Sequence, residues 1–269
     1  MADATARFDV RHIPGFTAAS VLVFALLYAP MVVLVAYSFN AGDSIAAWRG
    51  LSLRWYQSAL ANQAIQEATL NSLLIAAFAT VLATIAATLA ALGTARGRPF
   101  RGRTAIYAAI NQPLIVPEIV TGIALLIVFA AIKVATGYTG FGYLIAAHTA
   151  FCIPFAYLPI RARLQSLDPV LEQAAADLYA RPIQAFRHVT LPLLAPGIVA
   201  GAMLAFVTSL DDVVISELVK SGGQETLPTY LLGQARRGMT PEINAVSTLL
   251  LAFSILVVTA SYLLTRPKS

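Results

Sequence analysis

Gln173-Ala174-Ala175-Ala176-Asp177-Leu178-Tyr179, followed ten residues later by Val189-Thr190-Leu191-Pro192, is a mostly small, amphipathic segment that also carries Arg181, Arg187 and His188. It lies between two long apolar runs, about 141–164 and 192–219. A polar helix in that position rests on a membrane surface, within reach of a soluble partner, while the runs on either side cross the bilayer. The ordinary alternative is a surface helix that only links two spans.

Composition extends this reading to the whole chain. Of 269 residues, 58% are hydrophobic and only 12% charged, against about a quarter in a soluble domain. Mean hydropathy is +0.75. Apolar runs near the length of a bilayer crossing recur, so the expected class is all-α: a polytopic membrane protein with six transmembrane helices, 1–269 forming one domain. The spans are expected at about 16–37, 69–92, 105–134 (interrupted by Pro113 and Pro117), 141–164, 192–219 and 245–264. The first is too long for the core of a cleaved signal peptide and reads as retained.

Basic residues set the orientation. With the N-terminus inside, the inner face takes Arg7, Arg11, Arg96, Arg98, Arg101, Arg103, Arg161, Arg163, Arg181, Arg187, Arg266 and Lys268. The outer face takes Arg49, Arg54, Lys133, Lys220, Arg236 and Arg237. This bias puts both termini and the segment 168–190 in the cytoplasm. Of the two long outer loops, 41–67 holds Trp48, Trp55 and Tyr56 and suits an interfacial helix, while 220–244 reads as a turn-rich surface segment. The net charge of +5 comes from short clusters between spans and is no nucleic-acid signature. Cys152 is the single cysteine, so no disulfide can form within the chain. His12, His148 and His188 are scattered, and neither a phosphate-binding loop nor a hydrolase motif is found.

Two groups of residues could carry function. Asp168-Pro169 opens the surface helix, Glu172 falls in its first turn, and Ala174 to Ala176 give a slim face able to enter a groove. Pro182 then breaks or restarts the helix. Glu118, Asp211 and Asp212 lie inside apolar runs, where a carboxylate costs roughly 2.5–3.5 kcal/mol unless it faces a cavity or partner. At 1.5 Å per residue, Glu118 and Asp211 fall ~20 and ~28 Å from the inner ends of their spans, near one level, which suits passage of a cation. Helix capping near Ser209, or pairing with Arg236 or Arg237, is the structural alternative. Glu217, close to the outer surface, reads as structural. Gly197 and Gly201 form a close-approach pair for a subunit interface or for internal packing.

The segment resembles the coupling motif of binding-protein-dependent ABC transporter permeases, Glu-Ala-Ala-x3-Gly-x9-Ile-x-Leu-Pro. Ala174, Ala175, Leu191 and Pro192 fit it, and Val189 is a mild change. Gln173 replaces the Glu and Tyr179 replaces the Gly, so the turn geometry or the ATPase contact is expected to differ. Ser209-Leu210-Asp211-Asp212-Val213-Val214-Ile215-Ser216, Pro113 to Glu118, Leu53-Arg54-Trp55-Tyr56, Leu227-Pro228 and Thr240 to Ala245 resemble the polyamine branch, specifically its second permease subunit. The resemblance implies a bacterial inner-membrane importer subunit working with a homologous permease, two ATPase subunits and an extracytoplasmic binding protein. It implies ATP and Mg on the ATPases, and no cofactor on this chain. Related systems for opines or aminoethylphosphonate share much of the signature, and the intramembrane acids alone also allow an ion-coupled secondary transporter.

Overall fold

The computed structural model describes residues 15–44, 47–97, 100–238 and 240–265, and among them every regular element is helical apart from one isolated bridge between Asn40 and Leu51. Arg7, Arg11, His12, Arg98, Arg266 and Lys268 lie outside the described residues. The helices are α1 (Phe16–Ser38), α2 (Arg54–Ala61), α3 (Gln63–Ala91), α4 (Arg103–Ile115), α5 (Glu118–Thr136), α6 (Gly142–Ser166), α7 (Val170–Asp177), α8 (Pro182–Ala185), α9 (Leu191–Leu210), α10 (Val214–Val219), α11 (Leu227–Arg237) and α12 (Pro241–Thr265). Wider π turns extend α3 through Leu92–Arg96 and join α8 to α9 through Phe186–Thr190. Among the described residues, six helical runs are long and apolar enough to cross a membrane: Phe16–Ser38, Gln63–Arg96, Glu118–Thr136, Gly142–Ser166, Pro182–Leu210 and Pro241–Ala260.

The bundle is organised by small residues on α3. Ser72, Ala76, Ala79, Ala83, Ala87 and Ala91 recur every three or four positions and are all buried, which forms one slim stripe. In a bilayer, where lipid is as apolar as leucine, close backbone approach along such a stripe supplies the packing that draws helices together. α6 and α9 pack against α3 and against each other. Their buried faces contribute Leu144, Phe151, Cys152, Tyr157, Ile160 and Leu164 from α6, and Leu194 and Ala205 from α9. Gly201 sits where α9 meets α6, and a Cβ there would lie 2.6 Å from the Ala156 carbonyl oxygen. Gly197 meets the Arg163 side chain in the same way, so this glycine pair serves internal packing. Gly201→Ala is therefore expected to destabilise the chain by about 1–3 kcal/mol, read as a lower thermal midpoint of the detergent-purified protein. An unshifted midpoint would mean that α6 and α9 can part without cost.

Three expected boundaries change, each for a local reason. The third run is two helices: α4 stops at Ile115, Val116 is extended (φ −84°, ψ 138°) and Pro117 precedes α5. A residue before proline is pushed out of the helical region, and Pro117 itself has no N–H to give. The fifth run ends at Leu210 and does not continue to Val219, because the chain breaks over 211–213 before α10. The segment 220–244, expected to be turn-rich, is partly helical: α11 buries Leu227, Pro228, Thr229 and Tyr230 beside α3. Leu227 N–H donates to Ser72 Oγ at 2.8 Å, which pins this helix to the alanine stripe. Within 41–67 a helix does form, α2, held to the end of α1 by a Tyr56–Ser38 hydroxyl pair (2.6 Å) and by Trp55 Nε1 donating to the Asn40 carbonyl (3.0 Å).

Candidate functional site

Two places gather the residues singled out from the sequence. The first is the segment between α6 and α9. Asp168 Oδ1 accepts from Val170 N–H at 2.9 Å, so α7 begins where the Asp-Pro pair predicts. No residue of α7 is buried. Gln173, Ala174 and Asp177 are exposed and Ala175 is half-buried. Glu172 faces back to the bundle: its Oε1 accepts from Thr190 Oγ1 at 3.0 Å and lies 3.7 Å from Arg96 Nε. Arg96 also donates to the Leu167 carbonyl at 2.7 Å. The far end of α3, the start of the surface segment and the start of the fifth span are thus tied through one carboxylate and one guanidinium. Glu172 is a brace for α7, and the faces left free belong to Gln173, Ala174 and Asp177.

The turn after α7 resolves the expectation about Tyr179. Leu178 closes the helix, Tyr179 N–H donates to the Ala176 carbonyl (2.9 Å) and Ala180 N–H to the Ala175 carbonyl (3.0 Å). This is the Schellman pattern, and it requires a left-handed residue at Tyr179. Tyr179 has φ 60°, the one positive φ outside glycine among the described residues. The geometry a glycine would give is therefore kept, at a backbone cost of about 1–2 kcal/mol. In return the tip carries two large side chains, Leu178 (82% exposed) and Tyr179 (96% exposed). Arg181 is extended and exposed, and its N–H donates to Gln184 Oε1 at 2.8 Å as Pro182 restarts the helix. Leu191, half-buried, and Pro192, exposed, open α9 directly after the π turn.

The second place is the break between α9 and α10, at the opposite end of α9. Asp212 is 6% exposed, and its carboxylate accepts from Ile215 N–H (3.3 Å) and Ser216 N–H (2.8 Å), which caps α10. Beside it lies a residue that sequence reasoning left unused. His148 on α6 is 1% exposed. Its Nδ1 is 2.8 Å from Ser209 Oγ, and its Nε2 is 3.0 Å from Ser216 Oγ and 3.6 Å from Asp212 Oδ2. A histidine inside an apolar run was the available signal, since a polar ring there needs partners. Asp211, one residue earlier, is exposed and makes no ion pair among the described residues. Glu118, half-buried in the first turn of α5, is within interaction range of both aspartates. α5 reaches this point because Gly122 lets α10 close in: a Cβ on it would lie 2.6 Å from Leu218 Cδ1. The break therefore brings Glu118, Asp211 and Asp212 together, with Asp212 engaged as a cap and the other two partly open. Neither Arg236 nor Arg237 forms an ion pair with these acids, and Glu217 pairs with Lys220 at 2.8 Å.

An exposed short helix between two long apolar helices, with two helix breaks in the same bundle, is the arrangement that comparison with known proteins then identifies. The chain belongs to the binding-protein-dependent transport system inner membrane component family, whose model matches residues 83–266. It is thus a multi-pass inner-membrane protein, and its family, not its location, sets aside the ion-coupled secondary transporter. It is 41% identical, over 92% of its length and 89% of the relative's, to the putrescine transport system permease protein PotI of Escherichia coli K12. To the spermidine/putrescine transport system permease protein PotC of Haemophilus influenzae it is 37% identical, over 92% of this chain and 95% of that one. Among solved structures, a bacterial alginate ABC transporter in complex with its periplasmic protein shares the fold (TM-score 0.69, 14% identity, 93% of this chain and 92% of that one). The MetNI methionine transporter does so over 74% of this chain and 93% of its own (TM-score 0.63, 19% identity).

Proposed function

We propose that this chain is a transmembrane subunit through which putrescine or spermidine is drawn across the bacterial inner membrane by an ATP-driven importer. The observation that carries the reading is the 41% identity to a putrescine permease over 92% of the chain. The chemistry at the α9–α10 break agrees with it. A polyamine is a chain of ammonium groups, and Asp211 and Glu118 offer carboxylates with room for a partner. Each contact should be strong enough to draw the cation in and weak enough to release it.

In this reading both termini and α7 face the cytoplasm. The chain acts as a single transmembrane domain beside a homologous permease, two ATPase subunits and an extracytoplasmic binding protein. ATP and Mg sit on the ATPases and this chain holds no cofactor. Gln173, Ala174, Ala175, Asp177, Tyr179 and Arg181 form the surface an ATPase grips, with Glu172, Leu191 and Pro192 joining that surface to the fifth span. Asp177 supports this assignment: a carboxylate in the last turn of a helix opposes the dipole, and it makes no ion pair among the described residues, so a cation on a partner would relieve it. Closure of the ATPases then moves α7, and the Glu172–Arg96 link passes the movement to α3 and α9. Such coupling requires only that ATPase contacts differ between two states of the bundle.

The test is uptake of labelled putrescine and spermidine by cells lacking the chain, with and without its re-expression. Uptake lost on deletion and restored by the chain supports the proposal. Uptake of both indifferent to the chain, in cells without parallel systems, discards the polyamine assignment and turns the search to opines or aminoethylphosphonate. Asp211→Asn is expected to lower uptake about tenfold with assembly intact, equivalent to ~1.4 kcal/mol of lost interaction with the passing cation. Unaltered uptake kinetics would return Asp211 to a structural role.

A further inference from the structure

At the end of the bundle that carries α7, away from Glu118, Asp211 and Asp212, a cavity of about 350 Å³ is lined by Thr94, Arg103, Thr104, Tyr107, Tyr157 and Arg161. Its chemistry is one-sided. No carboxylate lines it, and neither Arg103 nor Arg161 makes an ion pair or a side-chain hydrogen bond among the described residues. The Arg161 guanidinium carbon stands 4.5 Å from the Tyr107 ring centre and 5.9 Å from that of Tyr157, so the two rings hold the cation in place. Arg161 Nε is buried and has no hydrogen-bond partner. Leaving a buried charged donor unmade is costly, and a ligand acceptor would remove that cost. Tyr157 is anchored by its hydroxyl contact with Thr94 Oγ1 (2.8 Å). Thr104 lies in the first turn of α4, which opens after Gly102 (φ 98°) without a side-chain cap. A further set of N–H donors, with the positive end of a 13-residue helix, therefore stands at the same cavity.

Two unpaired guanidinium groups, an orphaned buried Nε and an uncapped helix start offer many donors and no negative charge. We propose that this cavity binds the phosphate group of an anionic ligand. Guanidinium forks match phosphate oxygens, and the same positive charge repels a polyamine, so on the proposed function this is a ligand site and not a resting place for the transported cation. Phe100, Ile106 and Leu158, neighbours in sequence of the lining residues, are large, apolar and exposed. Exposed apolar side chains on the elements that line the cavity suit acyl chains, so the headgroup of an anionic phospholipid is named ahead of free phosphate, and the experiment separates the two.

The test uses the assembled transporter, purified in a neutral detergent and stripped of lipid, and it reads binding and not transport. Native mass spectrometry follows retention of dioctanoyl phosphatidylglycerol, with dioctanoylglycerol, which lacks the phosphate, as the control. The expected result is selective retention of phosphatidylglycerol, weakened roughly tenfold by Arg103→Gln and by Arg161→Gln. Arg103 has no ion pair or side-chain hydrogen bond to lose, so its variant guards against misfolding at the Arg161–tyrosine stack. Inorganic phosphate is then titrated alone. Binding of phosphate that needs both arginines, without selective lipid retention, keeps the site and assigns it to a soluble ligand. Equal retention of the two lipids with no phosphate binding, or retention unchanged in both variants, overturns the proposal. These binding readouts do not depend on polyamine uptake, so failure of the uptake test and failure of this one are told apart.

Discussion

Replacing Ala174 by Glu abolishes uptake while the protein remains in the membrane at its normal level. Ala174 is exposed on α7, and α7 buries none of its residues, so the chain loses no packing of its own. The loss would fall entirely on the partner. A slim alanine face fits a groove, and a carboxylate carried into that groove without a counter-ion costs about 3–5 kcal/mol, enough to remove productive docking. Asp177→Lys acts from the same face by reversing the charge that Asp177 offers a partner cation. The measurement is labelled polyamine uptake alongside membrane abundance and co-purification of the ATPase. Wild-type uptake with the ATPase bound would reduce α7 to a linker between spans. Lost uptake with the ATPase still bound would place the defect in transmission, at the Glu172–Arg96 link, and not in docking.

Six spans were legible in the sequence because a bilayer demands runs of about 20 apolar residues, and little else in a protein does. Their ends were harder to place where side chains compete with the apolar pattern. Asn62, whose Oδ1 accepts from Ala64 N–H at 3.1 Å, starts α3 six residues before the apolar run predicts. Pro117 and Asp212 cut two apolar runs that composition alone joins. α7 was legible down to its Asp168 cap, whereas the left-handed Tyr179 was not, since propensity argues against it and the surrounding hydrogen bonds override it. Glu118, Asp211 and Asp212 were read as a group near one depth, and the fold sets Glu118 within interaction range of both aspartates. Their separate situations, one a cap and two partly open, depend on backbone donors that a residue string does not display. The partners of His148 lie 61 and 68 positions away, so its burial beside two serines and an aspartate could not be read along the chain. Arg103 and Arg161 served in the sequence as orientation charges, and only the fold reveals that they share a cavity.

His148→Ala is expected to lose about 2–4 kcal/mol of stability and most uptake. The imidazole spans three elements at once: α6 through its own backbone, the last turn of α9 through Ser209, and α10 through Ser216. Removing it opens a buried void and leaves two hydroxyls and the flank of a buried carboxylate without a partner. Asp212 keeps its two backbone donors, so α10 still forms, but its tie to α6 is gone. The break between α9 and α10 would then be free to shift, and with it the direction of Asp211, whose position is set by where α9 ends. His148→Gln preserves polarity and one of the two hydroxyl contacts, so it should fall between alanine and the native residue in both thermal midpoint and uptake. That ordering separates a positioning role from simple space filling, because a leucine at 148 would restore volume without restoring either contact. If His148→Leu matches the native protein in uptake, the ring is only packing. If His148→Ala unfolds at the native temperature, the three-element tie has no energetic weight, and the break must be held by the Asp212 cap alone.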